Sequence, residues 1–273
     1  MTPTTAPPTL SETTDRRALL ANSTLAFVLA AMVNDTLHEL AHAVAGLAQG
    51  LTPTVSPFSV SYLPEGTDSQ QIVTAAAGPL FSLVLGLVLM VVARSWGRGL
   101  VRLFFLWLSF MGVMNFVGYC FIAPFARVGD TGQVLSLLGA PGWAYVLVAL
   151  VGVAGQFWLA YRFAGQVKRY AWTVAAERQL AFIAWILGTL IMIALTTVEV
   201  VAMRAEPAHV FVVVFYSCAV GIFGPMQFIF RARFSAGNET LELRPVNAVG
   251  IVVTVLVAVV LVGLAFAGGV TLG

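Results

Sequence analysis

Apolar residues in this chain come in runs of about twenty, the length of α-helix that crosses a bilayer core of about 30 Å. Seven such runs can be placed, at Leu25–Ala48, Ile72–Ala93, Leu100–Ile122, Trp143–Phe163, Leu180–Met203, His209–Phe230 and Val246–Val270. Composition agrees, with 59% of residues hydrophobic and 10% charged, against about 25% charged in soluble domains. The sequence therefore predicts an all-α, polytopic membrane protein of about seven transmembrane helices, with the lipid bilayer as its surroundings. A net charge of +2 is too small to argue for nucleic acid as a partner. Cys120 and Cys218 both fall inside apolar runs and make no disulfide framework.

The charges between the runs set an orientation. Twelve of the fourteen Lys and Arg fall in the N-terminal tail and in the second, fourth and sixth loops with their flanks, leaving only Arg127 and Arg204 in the others. Lys and Arg accumulate on the cytoplasmic side, which predicts a cytoplasmic N-terminus and an external C-terminus. Met1–Arg17 is rich in Pro and Thr and lacks an apolar period, so residues 1–20 are expected to be a disordered cytoplasmic tail. Residues 21–142 carry the motifs described next, and 143–273 read as additional transmembrane helices. Within the first part, Phe58, Val60 and Tyr62 alternate with Ser59 and Ser61, a strand-like period of two, and Pro57 restricts such a strand to an edge. Ala123–Gly142 holds Pro124, Gly129, Gly132, Gly139 and Pro141, so irregular backbone is expected there, buried in protein or facing a cavity.

The first run contains Asn34, Asp35, His38, Glu39 and His42. Ionisable groups at membrane depth are costly to insert and are functional by default. His38-Glu39-Leu40-Ala41-His42 matches H-E-x-x-H: two histidines four apart share a helix face and can reach one zinc ion, with the glutamate beside them as general base. Zinc lowers the pKa of a coordinated water from about 15.7 to about 7. The bland alternative is a polar stripe lining a helix interface or a substrate path. Catalytic zinc commonly has three protein ligands, and the one remaining histidine is His209. Asp130 is the better candidate, because it is the only Asp after Asp68 and lies between Gly129 and Gly132, where glycines allow close backbone approach. Its alternative is an exposed turn residue.

Together these segments resemble the site-2 protease family of intramembrane zinc metalloproteases. His38–Ala43 resembles that family's metal-binding helix. Ala75–Leu83, with its Gly78-Pro79 pair, resembles the opening of the next core helix. Asn115, Pro124, Asp130 and Gly132 resemble the segment that supplies the third ligand. Phe81 and Ser82 stand near the place where the family carries an Asn after its Pro, and Thr131 separates Asp130 from Gly132. The resemblance spans roughly Leu25 to Leu138. It implies a three-helix catalytic core, a re-entrant strand-like loop at Leu51–Leu63, a substrate-positioning role for Asn115, and a bacterial cell membrane as the setting.

The sequence thus leads to an expected zinc metalloendopeptidase. His38, His42 and Asp130 bind Zn2+, Glu39 activates water, and a membrane protein or peptide is the substrate. Phe58 and Val60 hold the unwound substrate as an added strand. The alternative is a non-proteolytic metal-binding membrane protein, either a transporter or an inactive interaction scaffold.

Overall fold

A computed structural model describes residues 10–92, 96–126, 129–171, 173–204, 226–235, 237, 239, 241–245 and 247–273. Among the described residues, six helices are long and apolar enough to span a membrane. They are α1 (Leu10–Leu47), α2 (Asp68–Val92), α3 (Gly99–Ala126), α5 (Gly142–Tyr170), α6 (Val174–Ala202) and α8 (Ala248–Phe266). Two shorter helices complete the described set, α4 (Asp130–Leu137) and α7 (Gln227–Phe230). The expected span His209–Phe230 lies mostly outside the described residues. The residues on either side of it sit at opposite ends of the bundle. Arg204 shares a cleft with Gly268 after α8, whereas Gly237 donates to the Lys168 carbonyl near the end of α5.

Two expectations about irregular backbone are corrected. Of the tail expected to be disordered over residues 1–20, residues 10–20 are the start of α1, and residues 1–9 lie outside the described residues. Extending an existing helix costs far less than nucleating one, so the apolar run carries its helix backwards. The segment Ala123–Gly142 is also largely helical. Pro124 lies inside α3, and α4 resumes at Asp130 after Gly129, whose φ of 75° is left-handed. Membrane helices tolerate proline because neighbouring groups satisfy the freed backbone.

Helix α3 is the centre of the bundle and packs on α1, α2, α4 and α5. Its Trp107 is fully buried, edge-on to Phe27 of α1 at 4.9 Å, and Phe110 meets Phe163 of α5 at 4.4 Å. The Trp107 indole N–H donates to Ser23 Oγ at 2.9 Å, and the Ser23 hydroxyl donates to the Leu180 carbonyl at 2.6 Å. Leu180 lies in the π-helical stretch Arg178–Ile183 of α6. The indole N–H and the Ser23 hydroxyl are thus both satisfied inside the apolar interior, as burial of a polar group requires.

The strand-like loop is a hairpin, β1 (Thr52–Ser56) and β2 (Ser59–Leu63), antiparallel with Val55 opposite Val60. Pro57 and Phe58 form its turn, so Phe58 caps the strand that was expected to include it. The chain terminus adds β3 (Val270–Thr271) to the other side of β1, giving the order β2-β1-β3. Among the described residues, the outer edge of β2 pairs with no strand.

Candidate metal centre

Helix α1 carries His38, Glu39 and His42 on adjacent turns, all largely buried. The two imidazoles meet edge to face with centroids 4.6 Å apart. His42 Nδ1 lies 2.6 Å from the Thr74 carbonyl of α2. A carbonyl can only accept, so His42 carries its proton on Nδ1 and presents the lone pair of Nε2. The Thr74 carbonyl sits in the turn where Pro79, lacking an N–H, leaves the Ala75 carbonyl without its helical donor. His38 Nδ1 lies 3.2 Å from Ser82 Oγ, two helical turns beyond Thr74. A hydrogen bond at one ring nitrogen sets which nitrogen is free for a metal.

Asp130 reaches these rings from the start of α4. Its Oδ2 is 2.9 Å from His38 Nε2 and 3.3 Å from His42 Nε2, and the two Nε2 atoms are 3.0 Å apart. Three ligands about 2.0–2.2 Å from a tetrahedral ion stand about 3.3–3.6 Å from one another. The observed triangle is slightly contracted from that size, so these three residues could hold a metal ion after the side chains spread by a few tenths of an ångström. Burial would raise the Asp130 pKa. Hydrogen bonds and the charges of His38 and His42 outweigh it and hold the carboxyl down at about 2, so Asp130 offers a carboxylate at neutral pH.

Close approach of α2 makes the site compact. A Cβ on Gly78 would lie 2.3 Å from His42 Nε2 and 2.8 Å from His38 Cε1, so only glycine lets this backbone lie against both rings. Tyr119 of α3 stacks on His38 at 5.6 Å with rings 8° from parallel. The Tyr62 hydroxyl of β2 donates to the His42 carbonyl at 3.0 Å. Burial pushes the Tyr62 phenol up to about 12, which keeps it a donor. The histidines are thus clamped from α2, α3 and the hairpin.

Beside the triangle opens a cavity of about 460 Å³. Glu39, His42 and Asp130 line it, together with Tyr119 and the hairpin residues Phe58 and Val60. Asn115 does not line it. Asn115 is buried in α3, one turn before Tyr119, and the aromatic residue takes the place at the cavity wall where the resemblance implied an amide. Asp35, one turn before Glu39, is bonded by Asn34 Nδ2 at 3.3 Å and stands outside the ligand group. Sequence reasoning missed Tyr62, Tyr119, Thr74 and Ser82. Of these, Tyr62 showed in the sequence only as part of the strand-like alternation, and Ser82 only as a polar residue shortly after Pro79.

Comparison of the chain with protein-family models, with characterised proteins and with solved structures finds no match.

Proposed function

We propose that this membrane protein is a zinc-dependent endopeptidase acting on membrane-associated proteins or peptides, as the resemblance to site-2 proteases implies. The observation that carries the reading is the position of Glu39. It faces a cavity shared with His42, Asp130 and the free-edged hairpin, although a glutamate there is not needed to complete the ligand triangle.

His38, His42 and Asp130 would hold the zinc ion, which when bound would supply Lewis acidity that lowers the pKa of water toward neutrality. The chain's own groups do the remaining work. Glu39 takes a proton from the attacking water and returns it to the departing amine. The Thr74 carbonyl holds His42 in one tautomer, and Ser82 orients the His38 ring. The outer edge of β2, beside Phe58 and Val60, offers main-chain groups to a substrate stretch that has unwound from its own helix.

His38 lies about 32 Å along α1 from Arg17, at the 1.5 Å rise of an α-helix. Among the described basic residues, Arg204 alone lies at the metal-centre end. By the distribution of positive charge, the N-terminus is cytoplasmic and the cavity opens toward the external face.

The test is Glu39→Gln. It should retain zinc and lose at least about 10²-fold in the rate of peptide cleavage, the size of general-base catalysis. A variant that cleaves as fast as the parent ends the peptidase reading. Zinc binding with no cleavage of membrane-protein or peptide substrates by the parent chain favours the metal-binding transporter or scaffold instead.

A further inference from the structure

One side chain of the hairpin is bonded to the helix that carries the metal ligands. The Tyr62 hydroxyl donates to the His42 carbonyl at 3.0 Å. The Tyr62 ring lies against Gly46, one helical turn beyond His42, where a Cβ would stand 2.4 Å from Tyr62 Cε1. Gly46 is helical like its neighbours, so what glycine supplies there is room for the phenol ring and not an unusual backbone conformation.

The main chain of Tyr62 points another way. The Leu272 N–H, next after β3, donates to the Pro53 carbonyl at 2.9 Å. The Val55 carbonyl faces Gly269, whose Cβ would stand 2.7 Å from it. Pro53 and Val55 thus turn their main-chain groups toward β3 and away from β2. In an antiparallel ladder, opposed residues alternate between exchanging both hydrogen bonds and exchanging none. Pro53–Tyr62 and Val55–Val60 are opposed pairs of the second kind, so Tyr62 and Val60 turn their N–H and C=O groups to the outer edge of β2. Among the described residues no strand pairs with that edge. Ser59, Val60, Ser61 and Tyr62 line the cavity beside the metal centre, and no residue of β1 does. Tyr62 therefore offers its main chain to an added strand while its side chain holds the helix of His42.

We propose that Tyr62 is the positioning residue that sets which peptide bond of a bound segment meets the metal. This rests on the peptidase reading and adds to it the register of the substrate. An extended segment bonds to the N–H and C=O groups of Val60 and Tyr62, and the phenol fixes that strand at one distance from His42. Without the phenol hydroxyl the hairpin edge is free to shift relative to α1, and misplacing a reacting bond by about 1 Å costs about 10²-fold in rate.

The experiment uses the full chain in detergent and a Val- and Thr-rich peptide, whose residues favour extended backbone. Binding is measured on zinc-loaded Glu39→Gln, and the products of the parent are identified by mass spectrometry. N-methylation of the peptide, one residue at a time, should weaken binding about tenfold at two positions that are two residues apart and be tolerated between them, because only alternate residues donate to the Val60 and Tyr62 carbonyls. Tyr62→Phe should keep zinc, cut the parent's main bond about three- to tenfold more slowly, the worth of one hydrogen bond, and release products from neighbouring bonds. Gly46→Ala, which displaces the ring without touching the hairpin and suits a helix, should do the same. With Cu2+ in place of zinc and a nitroxide on the peptide, pulsed electron paramagnetic resonance on Glu39→Gln should give one narrow distance that broadens when Tyr62→Phe is added. No binding of the peptide, uniform tolerance of N-methyl groups, an unbroadened distance with unchanged cut sites, or loss of zinc from Tyr62→Phe each overturns the assignment. A peptide that the parent binds but does not cleave refutes the peptidase reading instead, and the N-methyl pattern and the distance then decide the role of Tyr62.

Discussion

Adding one methyl group at Gly78 tests how the metal centre is built. The new Cβ of Gly78→Ala would lie 2.3 Å from His42 Nε2, 2.6 Å from His42 Cε1 and 2.8 Å from His38 Cε1. Non-bonded carbon contacts settle at about 3.5–4.0 Å, so the rings or the α2 backbone must move by about 1 Å. The rings have other attachments that resist this, His42 to the Thr74 carbonyl of α2 itself and His38 to Tyr119 of α3. Overpacking of this kind costs about 1–3 kcal/mol, which the bundle should survive. The metal is more sensitive, because ligand distances hold within about 0.2 Å of their preferred values. Changes only to the groups that orient metal ligands cost about 10–100-fold in affinity, so displacement of the ligands themselves should cost at least about 10²-fold. Zinc affinity by chelator competition, with circular dichroism to confirm helicity, measures this. Gly118→Ala is the control, since a Cβ on that α3 glycine meets nothing within 4 Å. Zinc binding by Gly78→Ala within twofold of the parent would refute the close approach of α2 to the imidazoles.

Three further outcomes follow from the same geometry. Asp130→Ala should weaken zinc binding as strongly as His42→Ala, while Asp35→Ala, outside the ligand triangle, should act about tenfold or less, as an outer group does; equal losses for the two aspartates would contradict the assignment. In the metal-free chain the Asp130 carboxyl is lowered from 3.8 to about 2. A depressed carboxyl pKa stabilises the fold above its unfolded value, here about pH 4, and that contribution fades as pH falls through about 2. Thermal unfolding should therefore show Asp130→Asn less stable than the parent by about 2 kcal/mol at neutral pH, with the gap closing between pH 4 and pH 2; a gap independent of pH would count against the His38–Asp130–His42 contacts. For topology, a reporter fused after Gly97 should read cytoplasmic and one after Gly66 external, and the reverse pattern would turn the metal centre to the other face.

The sequence by itself determined those features whose physics is local. Run length and the need to satisfy backbone groups in hydrocarbon specify helices wherever twenty apolar residues follow one another, and all six described spans begin or end close to an expected run. The spacing of His38, Glu39 and His42 is likewise local, because four residues are one helical turn. Alternation at Val60 and Tyr62 announced the hairpin, though not that its turn begins at Pro57. Tertiary structure decided what depends on how helices rotate and how closely they pack. Asp130 meets His38 across 92 positions of chain because Gly78 admits the α2 backbone against the rings and Gly129 turns the chain into α4. The rotation of α3 puts Tyr119 at the cavity and Asn115 away from it, a choice invisible to spacing, since residues one turn apart share a face. Val270 and Thr271 join β1 only because α8 ends at the same side of the bundle as α1. Such contacts arise from the summed packing of many side chains, so no short stretch of sequence encodes them.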